Sequence, residues 1–136
     1  MNEETVRNWI RKAENDLKIG KDEMSVGDPV TDMVCFHMQQ CVEKYLKAFL
    51  IFHGKEYPKT HRIAVLVGLC SQIDPEFQTL MDWEVDRLSR YATTLRYGEE
   101  FYTPSLEETR EAIELAEKTK AFVLTRLKEK GFAPNG

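Results

Sequence analysis

The spacing of apolar residues along the chain predicts five helices. Apolar residues recur at every third or fourth position, as on the buried face of a helix, and no segment shows the alternation of a strand. The predicted helices span residues 3–24, 30–53, 61–71, 75–96 and 105–130. Four long helices and one short helix, joined by brief connections, predict an all-α protein. The expected architecture is an up-and-down antiparallel four-helix bundle with one additional short helix.

Residues typical of helix ends stand at the boundaries of these segments. Candidate capping residues precede four of them: Asp28, Thr60, Asp74 and Ser105. The two aspartates are each followed by a proline, which suits the first turn of a helix. Gly54 suits the left-handed position after the second helix, and Glu108 completes a capping box with Ser105. We therefore expect one domain over residues 1–130 and a frayed C-terminal tail over 131–136.

The second predicted helix carries a polar stripe beside its apolar one. The apolar stripe consists of Val34, Met38, Cys41, Val42, Tyr45, Phe49 and Phe52. The polar stripe has the same spacing and consists of Gln40, Glu43, Lys44 and Lys47. The simplest interpretation is a solvated face on which Glu43 and Lys47 form a helix-stabilising pair, and the alternative is a binding site. His37 lies beside the apolar face, which favours a hydrogen-bonded histidine in the core or at an interface.

The fourth predicted helix interleaves aromatic and guanidinium groups on one face. This stripe consists of Trp83, Arg87, Arg90, Thr94 and Tyr97. Such a face can stack a base and hold phosphate oxygens. The alternative is that Arg90 pairs with Asp86 while the aromatic rings pack against a neighbouring helix. Arg96, at the end of the same segment, also suits the negative end of the helix dipole.

The bulk properties of the chain restrict its class. Its 136 residues are 42% hydrophobic and 31% charged, as expected for one globular domain. The net charge of −4 argues against broad binding to nucleic acid, which needs clustered positive charge, but leaves room for a small local site. No apolar run is long enough to span a membrane, and the N-terminus lacks the order of a secretory signal. A cytoplasmic protein without membrane contact is expected.

The cysteines and histidines are not spaced as metal ligands. Cys35, Cys41 and Cys70 form no CxxC pair and are expected to be reduced core thiols. His37 and His53 would lie about 24 Å apart on one helix, so they cannot share an ion. No zinc motif, phosphate-binding glycine loop or nucleophile elbow occurs in the sequence. The sequence therefore predicts neither a metal nor a cofactor.

The second helix and the loop after it resemble the signature region of HEPN domains (higher eukaryotes and prokaryotes nucleotide-binding). That family carries a Phe-His pair, a double glutamine, Glu-Lys, Lys-Ala, a glycine and Thr-His in this order. The chain supplies Phe36-His37, Gln39-Gln40, Glu43-Lys44, Lys47-Ala48, Gly54 and Thr60-His61. The stretch WIRKAENDL in the first helix and TLRY at 94–97 resemble two further family motifs. The likeness extends from about Val6 to Lys128.

The resemblance implies a helical bundle that is commonly a homodimer. It implies a stand-alone prokaryotic protein of the type that works with a minimal nucleotidyltransferase in toxin–antitoxin-like pairs. It also implies nucleotide binding, and the matching residues here are Gln40, Lys44, Lys47, Arg96 and Tyr97. In this interpretation the lysines and Arg96 hold phosphate oxygens, Gln40 bonds a base or sugar, and Tyr97 stacks.

Two alternatives to a binding module stay open. Some branches of the family are metal-independent RNases that carry an Arg-x4-6-His motif, which this chain lacks. For an RNase acting on RNA, the candidate catalytic residues are Arg90, Arg96, Tyr97 and His37. Because tyrosine has a pKa of about 10 and is a poor base at neutral pH, the sequence favours a protein that is not an enzyme. In the other alternative, the polar residues form a hydrogen-bond network at a dimer interface without any ligand.

Overall fold

A computed structural model of the protein describes residues 2–93 and 102–134. The helices in these residues are α1 (Glu3–Met24), α2 (Thr31–Phe52), α3 (Ile63–Ile73), α4 (Gln78–Asp82), α5 (Arg90–Thr93) and α6 (Leu106–Glu129). Two 3₁₀ turns, Pro75–Phe77 and Val85–Ser89, flank α4. The described ranges contain no strand, so the predicted all-α class is confirmed. The specific up-and-down four-helix arrangement stays a prediction.

Helix α2 is the central element of the fold. It packs against α1, α3, α5 and α6, because its sequence is apolar around most of its circumference. Its predicted core residues Met38, Tyr45 and Phe49 are buried, and so are Leu46 and Leu50 outside that stripe. In the described part of the chain, no helix, α2 included, is both long and apolar enough to cross a membrane.

The predicted boundaries of the first two helices are close to the observed ones. The bounds of α1 are those expected from the sequence. Asp28 is not the cap of α2, because the helix begins three residues later and the Glu23 carboxylate accepts the Val30 N–H at 2.9 Å instead. Gly54 follows α2 with φ +71°, the left-handed conformation predicted for it. The Thr60 hydroxyl accepts the Arg62 N–H at 3.1 Å and so closes a turn before α3 rather than capping it.

The prediction of one long helix over residues 75–96 is wrong. Asp74 does cap its start, accepting the Glu76 N–H at 3.0 Å, but the helix ends at Asp82. Glu84 then adopts a left-handed conformation with φ +58°. The break lets Val85–Ser89 wind as a 3₁₀ turn whose Ser89 hydroxyl accepts the Ile63 N–H at 2.8 Å. This bond satisfies one backbone N–H in the first turn of α3, whose N-cap residue Arg62 makes no side-chain capping bond.

Helix α6 and the residues after it form the last part of the described chain. Ser105 caps α6 as predicted, with its hydroxyl accepting the Glu108 N–H at 3.0 Å. The Glu108 carboxylate accepts hydroxyl bonds from Tyr91 and Tyr102. Phe132, in the expected tail, is buried and packs edge-on against Phe52 with ring centroids 5.8 Å apart. The frayed tail over 131–136 stays a prediction.

Candidate functional site

Three polar residues of α2, Gln39, Gln40 and Lys47, belong to a network centred on the buried Glu43. The Glu43 carboxylate accepts hydrogen bonds from Lys47 Nζ at 2.6 Å and Gln39 Nε2 at 2.9 Å. It also contacts His61 Nδ1 at 3.0 Å, where the imidazole must donate because an ionised carboxylate only accepts. Gln39 Nε2 also donates to the His61 carbonyl at 3.1 Å, and Gln40 Nε2 donates to Gln39 Oε1 at 2.6 Å. This Glu43 network ties α2 to the loop before α3.

Two aromatic rings cover the Glu43 network. The Lys47 ammonium lies 5.0 Å from the centroid of Tyr57 and 5.8 Å from that of Trp9. The rings meet edge to face with centroids 5.7 Å apart. Trp9 lies on α1 and Tyr57 in the loop after α2, so the cover joins three parts of the chain. Lys47 is consequently only 8% exposed, and its charge is shared between Glu43 and the two ring faces.

The Glu43 carboxyl is ionised in this setting. Burial alone would raise its pKa, but hydrogen bonds from Lys47, His61 and Gln39 together outweigh burial and hold the pKa below its usual value. A buried charge that is fully bonded in this way fixes the relative positions of its partners. The network therefore acts as a structural clamp on α2.

A second network, centred on Asp16, joins α1 to α2. Asp16 is 7% exposed, and its two carboxylate oxygens have separate partners. Lys44 Nζ donates to one at 2.6 Å, and His37 Nδ1 contacts the other at 2.8 Å. Because Nδ1 of His37 contacts Asp16, Nε2 is the ring nitrogen left for another partner. His37 also lines a groove between α1 and α2.

Glu14, two residues before Asp16 on α1, anchors a third contact with α2. Its carboxylate accepts the Tyr45 hydroxyl at 2.6 Å and pairs with Lys120 Nζ of α6 at 2.7 Å. Burial would raise the pKa of Glu14, but the bonds from Lys120 and Tyr45 lower it below its usual value. Burial and the neighbouring Glu14 raise the pKa of Tyr45, so this hydroxyl stays protonated. Three helices thus meet at one carboxylate.

The expected solvated stripe on α2 is wrong as a description of these residues. Glu43 and Lys47 are buried, and Gln40 and Lys44 are half-buried. The Glu43–Lys47 pair is confirmed, although it lies inside the protein rather than on its surface. The expectation that His37 is hydrogen-bonded is also confirmed. Helical spacing identified the stripe, but it could not show that Trp9 and Tyr57 cover it.

Sequence reasoning missed the acidic residues that complete these networks. Asp16 and Glu14 lie on α1 at helical positions that face α2, and both are charged residues among apolar neighbours. A charged residue on the apolar face of a predicted helix is the signal that could have identified them. Gln39 and His61 were visible only as parts of the family resemblance.

The aromatic and arginine stripe predicted for residues 83–97 is not one continuous face. The break at Glu84 separates Trp83 from the arginines that follow. Trp83 packs edge-on against Phe122 of α6 with centroids 6.1 Å apart, as the alternative interpretation expected. Arg87 pairs with Glu111 at 2.7 Å. The ion pair between Arg90 and Asp86 that the same alternative expected is not formed in the described residues.

Arg90 lies beside two tyrosines rather than on an open face. Its guanidinium carbon is 5.2 Å from the ring centroid of Tyr102 and 5.7 Å from that of Tyr91. Thr94, Arg96 and Tyr97, which complete the predicted stripe and the candidate site, lie outside the described residues. Within the ranges 2–93 and 102–134, no three His, Cys, Asp or Glu side chains are gathered as metal ligands would be.

Fold and site together define an all-α protein whose central helix is clamped to its neighbours by buried ionic networks. The model of the HEPN domain family matches residues 6–128. The chain belongs to the HEPN family. The crystal structure of an archaeal HEPN homologue is similar to it with a TM-score of 0.70 and 27% identity, over 90% of this chain and 97% of that one. Among curated proteins, none matches at a significant level.

Proposed function

We propose that the protein is a dimeric HEPN interaction module that acts with a nucleotidyltransferase-type partner in a toxin–antitoxin-like pair. The observation that supports a dimer is an exposed apolar surface between α1 and α2, formed by Ile19, Val30 and Met33. Their exposed fractions are 52%, 51% and 41%. The three side chains line one groove of about 240 Å³ together with His37.

Exposed apolar residues are concentrated at this end of the molecule. Seven large apolar side chains are exposed in the described residues, and five of them lie at or beside the connection between α1 and α2: Ile19, Val26, Val30, Met33 and Leu106. A cluster of this kind marks an interface more often than it marks ordinary surface. A second copy of the chain is the occupant we favour, because two-fold pairing needs only one patch that matches itself.

The dimer is tested by substitution of Met33. Met33→Glu places a charge in the apolar surface, and we expect light scattering to show a monomer where the wild type is a dimer. Val65→Glu is the matched control, since Val65 is also an exposed apolar residue but lies on α3, and this variant should stay dimeric. A monomeric wild type, or a Met33→Glu protein that still dimerises, contradicts the proposal.

The partner is a separate part of the proposal. Its support is membership of the HEPN family. Native mass spectrometry of the protein purified from its source cell measures the mass of any complex directly. We expect a species that contains a second protein identified by its peptides as a nucleotidyltransferase. A homodimer alone, with no second protein at any protein concentration, contradicts this part.

Nucleotide contact by Gln40, Lys44 and Lys47 stays a prediction, with Arg96 and Tyr97 as its further members. The two lysines already hold carboxylates, Lys44 with Asp16 and Lys47 with Glu43. A phosphate group at either ammonium would compete with a carboxylate 2.6 Å away. Calorimetry with ATP and GTP tests the prediction, and the absence of heat at millimolar ligand would remove it.

A metal-independent endoribonuclease is the second candidate, and one observation favours it. Asp16 holds Nδ1 of His37, which orients the imidazole and leaves Nε2 for proton transfer, as in other carboxylate–histidine pairs. The test is a gel assay with labelled RNA in the presence of EDTA. Cleavage that persists in EDTA and is lost in both His37→Gln and Arg96→Ala would support an enzyme. Intact RNA under all conditions would remove it.

A further inference from the structure

The groove between α1 and α6 carries a concentration of positive charge in a protein of net charge −4. Its volume is about 590 Å³, and its lining includes four cations and one carboxylate: Arg7, Arg11, Lys120, Lys128 and Glu14. The Arg7 Nε donates to the Ala133 carbonyl at 3.0 Å, and Lys120 meets Glu14 at 2.7 Å. The two helices therefore run in opposite directions. We infer that this α1–α6 groove binds a compact oligophosphate anion.

The cations form a regular array because of helix geometry. Arg7 and Arg11 are four residues apart on α1, and Lys120 and Lys128 are eight apart on α6, so each pair lies along one face. The second pair spans about 12 Å along its helix. Asn15 continues the α1 row and offers amide donors without charge. The groove thus presents donors from both walls to a ligand lying between the helices.

The carboxylate in the groove neutralises one of the four cations, Lys120, and also has a structural role. Glu14 accepts the hydroxyl of the buried Tyr45, and its pairing with Lys120 holds that lysine in place. Arg7 is paired with Glu3, which leaves Arg11 and Lys128 as the groove cations without a carboxylate partner in the described residues. Arg11 donates only to the neutral amide oxygen of Asn8, at 2.9 Å, and Lys128 has no acceptor among the described residues. Both side chains are exposed and available to a ligand.

The dimensions of the groove favour a compact anion over a polymer. Its volume lies within the range of small-molecule sites, about 300–1,000 Å³. Carboxylates limit the positive charge at both ends: Glu3 pairs with Arg7 at 3.2 Å, and Glu117 pairs with Lys21 at 2.8 Å. A phosphate-tracking surface for RNA would instead extend past these points. Guanidinium groups bind phosphate oxygens in bidentate pairs, so oligophosphate matches the unpaired Arg11 better than an isolated carboxylate does.

The floor of the groove distinguishes two sources of the same anion. Ile10 and Leu124 lie between the cation rows, and Pro134 closes one end. Such apolar residues give a base or sugar a surface to rest on, whereas inorganic triphosphate gains nothing from them. Oligophosphate is the shared chemistry, and the relative affinities of inorganic triphosphate and ATP identify its source.

The test is calorimetric titration of the full chain with inorganic triphosphate and, separately, with ATP. We expect saturable binding of at least one of them at low salt, weakened about tenfold at about 0.3 M salt. The double variant Arg11→Gln/Lys128→Gln should lose about tenfold in affinity for each ligand that the wild type binds. The control Lys59→Gln/Arg62→Gln removes the same two residue types from the α2–α3 connection and should bind as the wild type does. All four positions are exposed, and circular dichroism checks that both variants fold.

Several results would overturn the inference. Unsaturable heat from both ligands at millimolar concentration would overturn it, and so would a control variant that loses as much affinity as the groove variant. If binding is lost in Lys44→Gln but kept in Arg11→Gln/Lys128→Gln, the ligand binds at the polar residues of α2 and not in the α1–α6 groove. None of these outcomes depends on the Met33 dimer test, so the groove and the proposed interface succeed or fail separately.

Discussion

Substitution of Lys47 tests whether the Glu43 network is a clamp. Lys47→Met keeps most of the hydrocarbon against Trp9 and Tyr57 but removes the ammonium that donates to Glu43 at 2.6 Å. The Glu43 side chain, only 5% exposed, then retains Gln39 and His61 as donors without a neighbouring lysine charge. Removing one partner of a buried ion pair costs about 3–5 kcal/mol. We expect about 3 kcal/mol here, since two donors remain.

A matched pair elsewhere in the protein isolates the effect of burial. Lys18 and Asp22 have the same four-residue spacing and the same 2.6 Å separation, but their side chains are 76% and 66% exposed. Lys18→Met should leave the urea midpoint unchanged, because water and counterions already solvate the carboxylate. Urea unfolding followed by circular dichroism measures both variants. If Lys47→Met lowers stability no more than Lys18→Met, the clamp is refuted.

The double variant Glu43→Gln/Lys47→Met separates the buried charge from the packing. With both charges removed, no ion is left unpaired, and we expect stability to return to within about 1 kcal/mol of the wild type. Stability should also depend on pH in a defined direction. The lowered pKa of Glu43 stabilises the folded protein above about pH 4.5, and this contribution is lost as the pH falls through the folded-state value. Lys47→Met should weaken that acid dependence.

The remaining predictions concern the core around α1 and α2. Tyr45→Phe removes the hydroxyl donated to Glu14, and urea unfolding should show a loss of about 1–2 kcal/mol. Gly20→Ala should change stability by less than about 1 kcal/mol, because the new Cβ would meet the flexible end of Met38, with Cε at 2.4 Å, and the gain in helix propensity offsets the repacking; the same unfolding assay measures it. Burial raises the pKa of the Cys35 thiol to about 11, and the other two thiols are also buried. A thiol reagent at about pH 8 should label none of the three cysteines until urea is added.

The parts of the fold that depend on local sequence could be predicted. The bounds of α1, the Ser105 cap and the left-handed Gly54 each follow from a few neighbouring residues. The segment after Asp74 could not be predicted, because its break depends on tertiary contacts. Glu84 occupies a left-handed conformation that no turn signal in the sequence marks, and Ser89 reaches the start of α3. Propensity alone favoured one continuous helix there, and the tertiary packing overrode it.

The candidate site illustrates a different limit of sequence reasoning. The spacing of Gln40, Glu43 and Lys47 identified a shared face of α2, but spacing carries no information about what covers that face. The Glu43–Lys47 pair was predicted because both members lie on one helix. The Asp16 contacts with His37 and Lys44 join residues more than 20 positions apart and were not predicted.

The residues that carry the family resemblance have a common structural explanation. Gln39, Glu43 and His61 come from separate motifs of the signature region, yet they meet in one network. Together they fasten the loop before α3 onto α2. A substitution that breaks this network perturbs folding as well as any ligand contact, so loss of function there would not identify a binding site. Ligand tests are more informative at the exposed cations of the α1–α6 groove, where Arg11 and Lys128 can be changed without unpairing a buried charge.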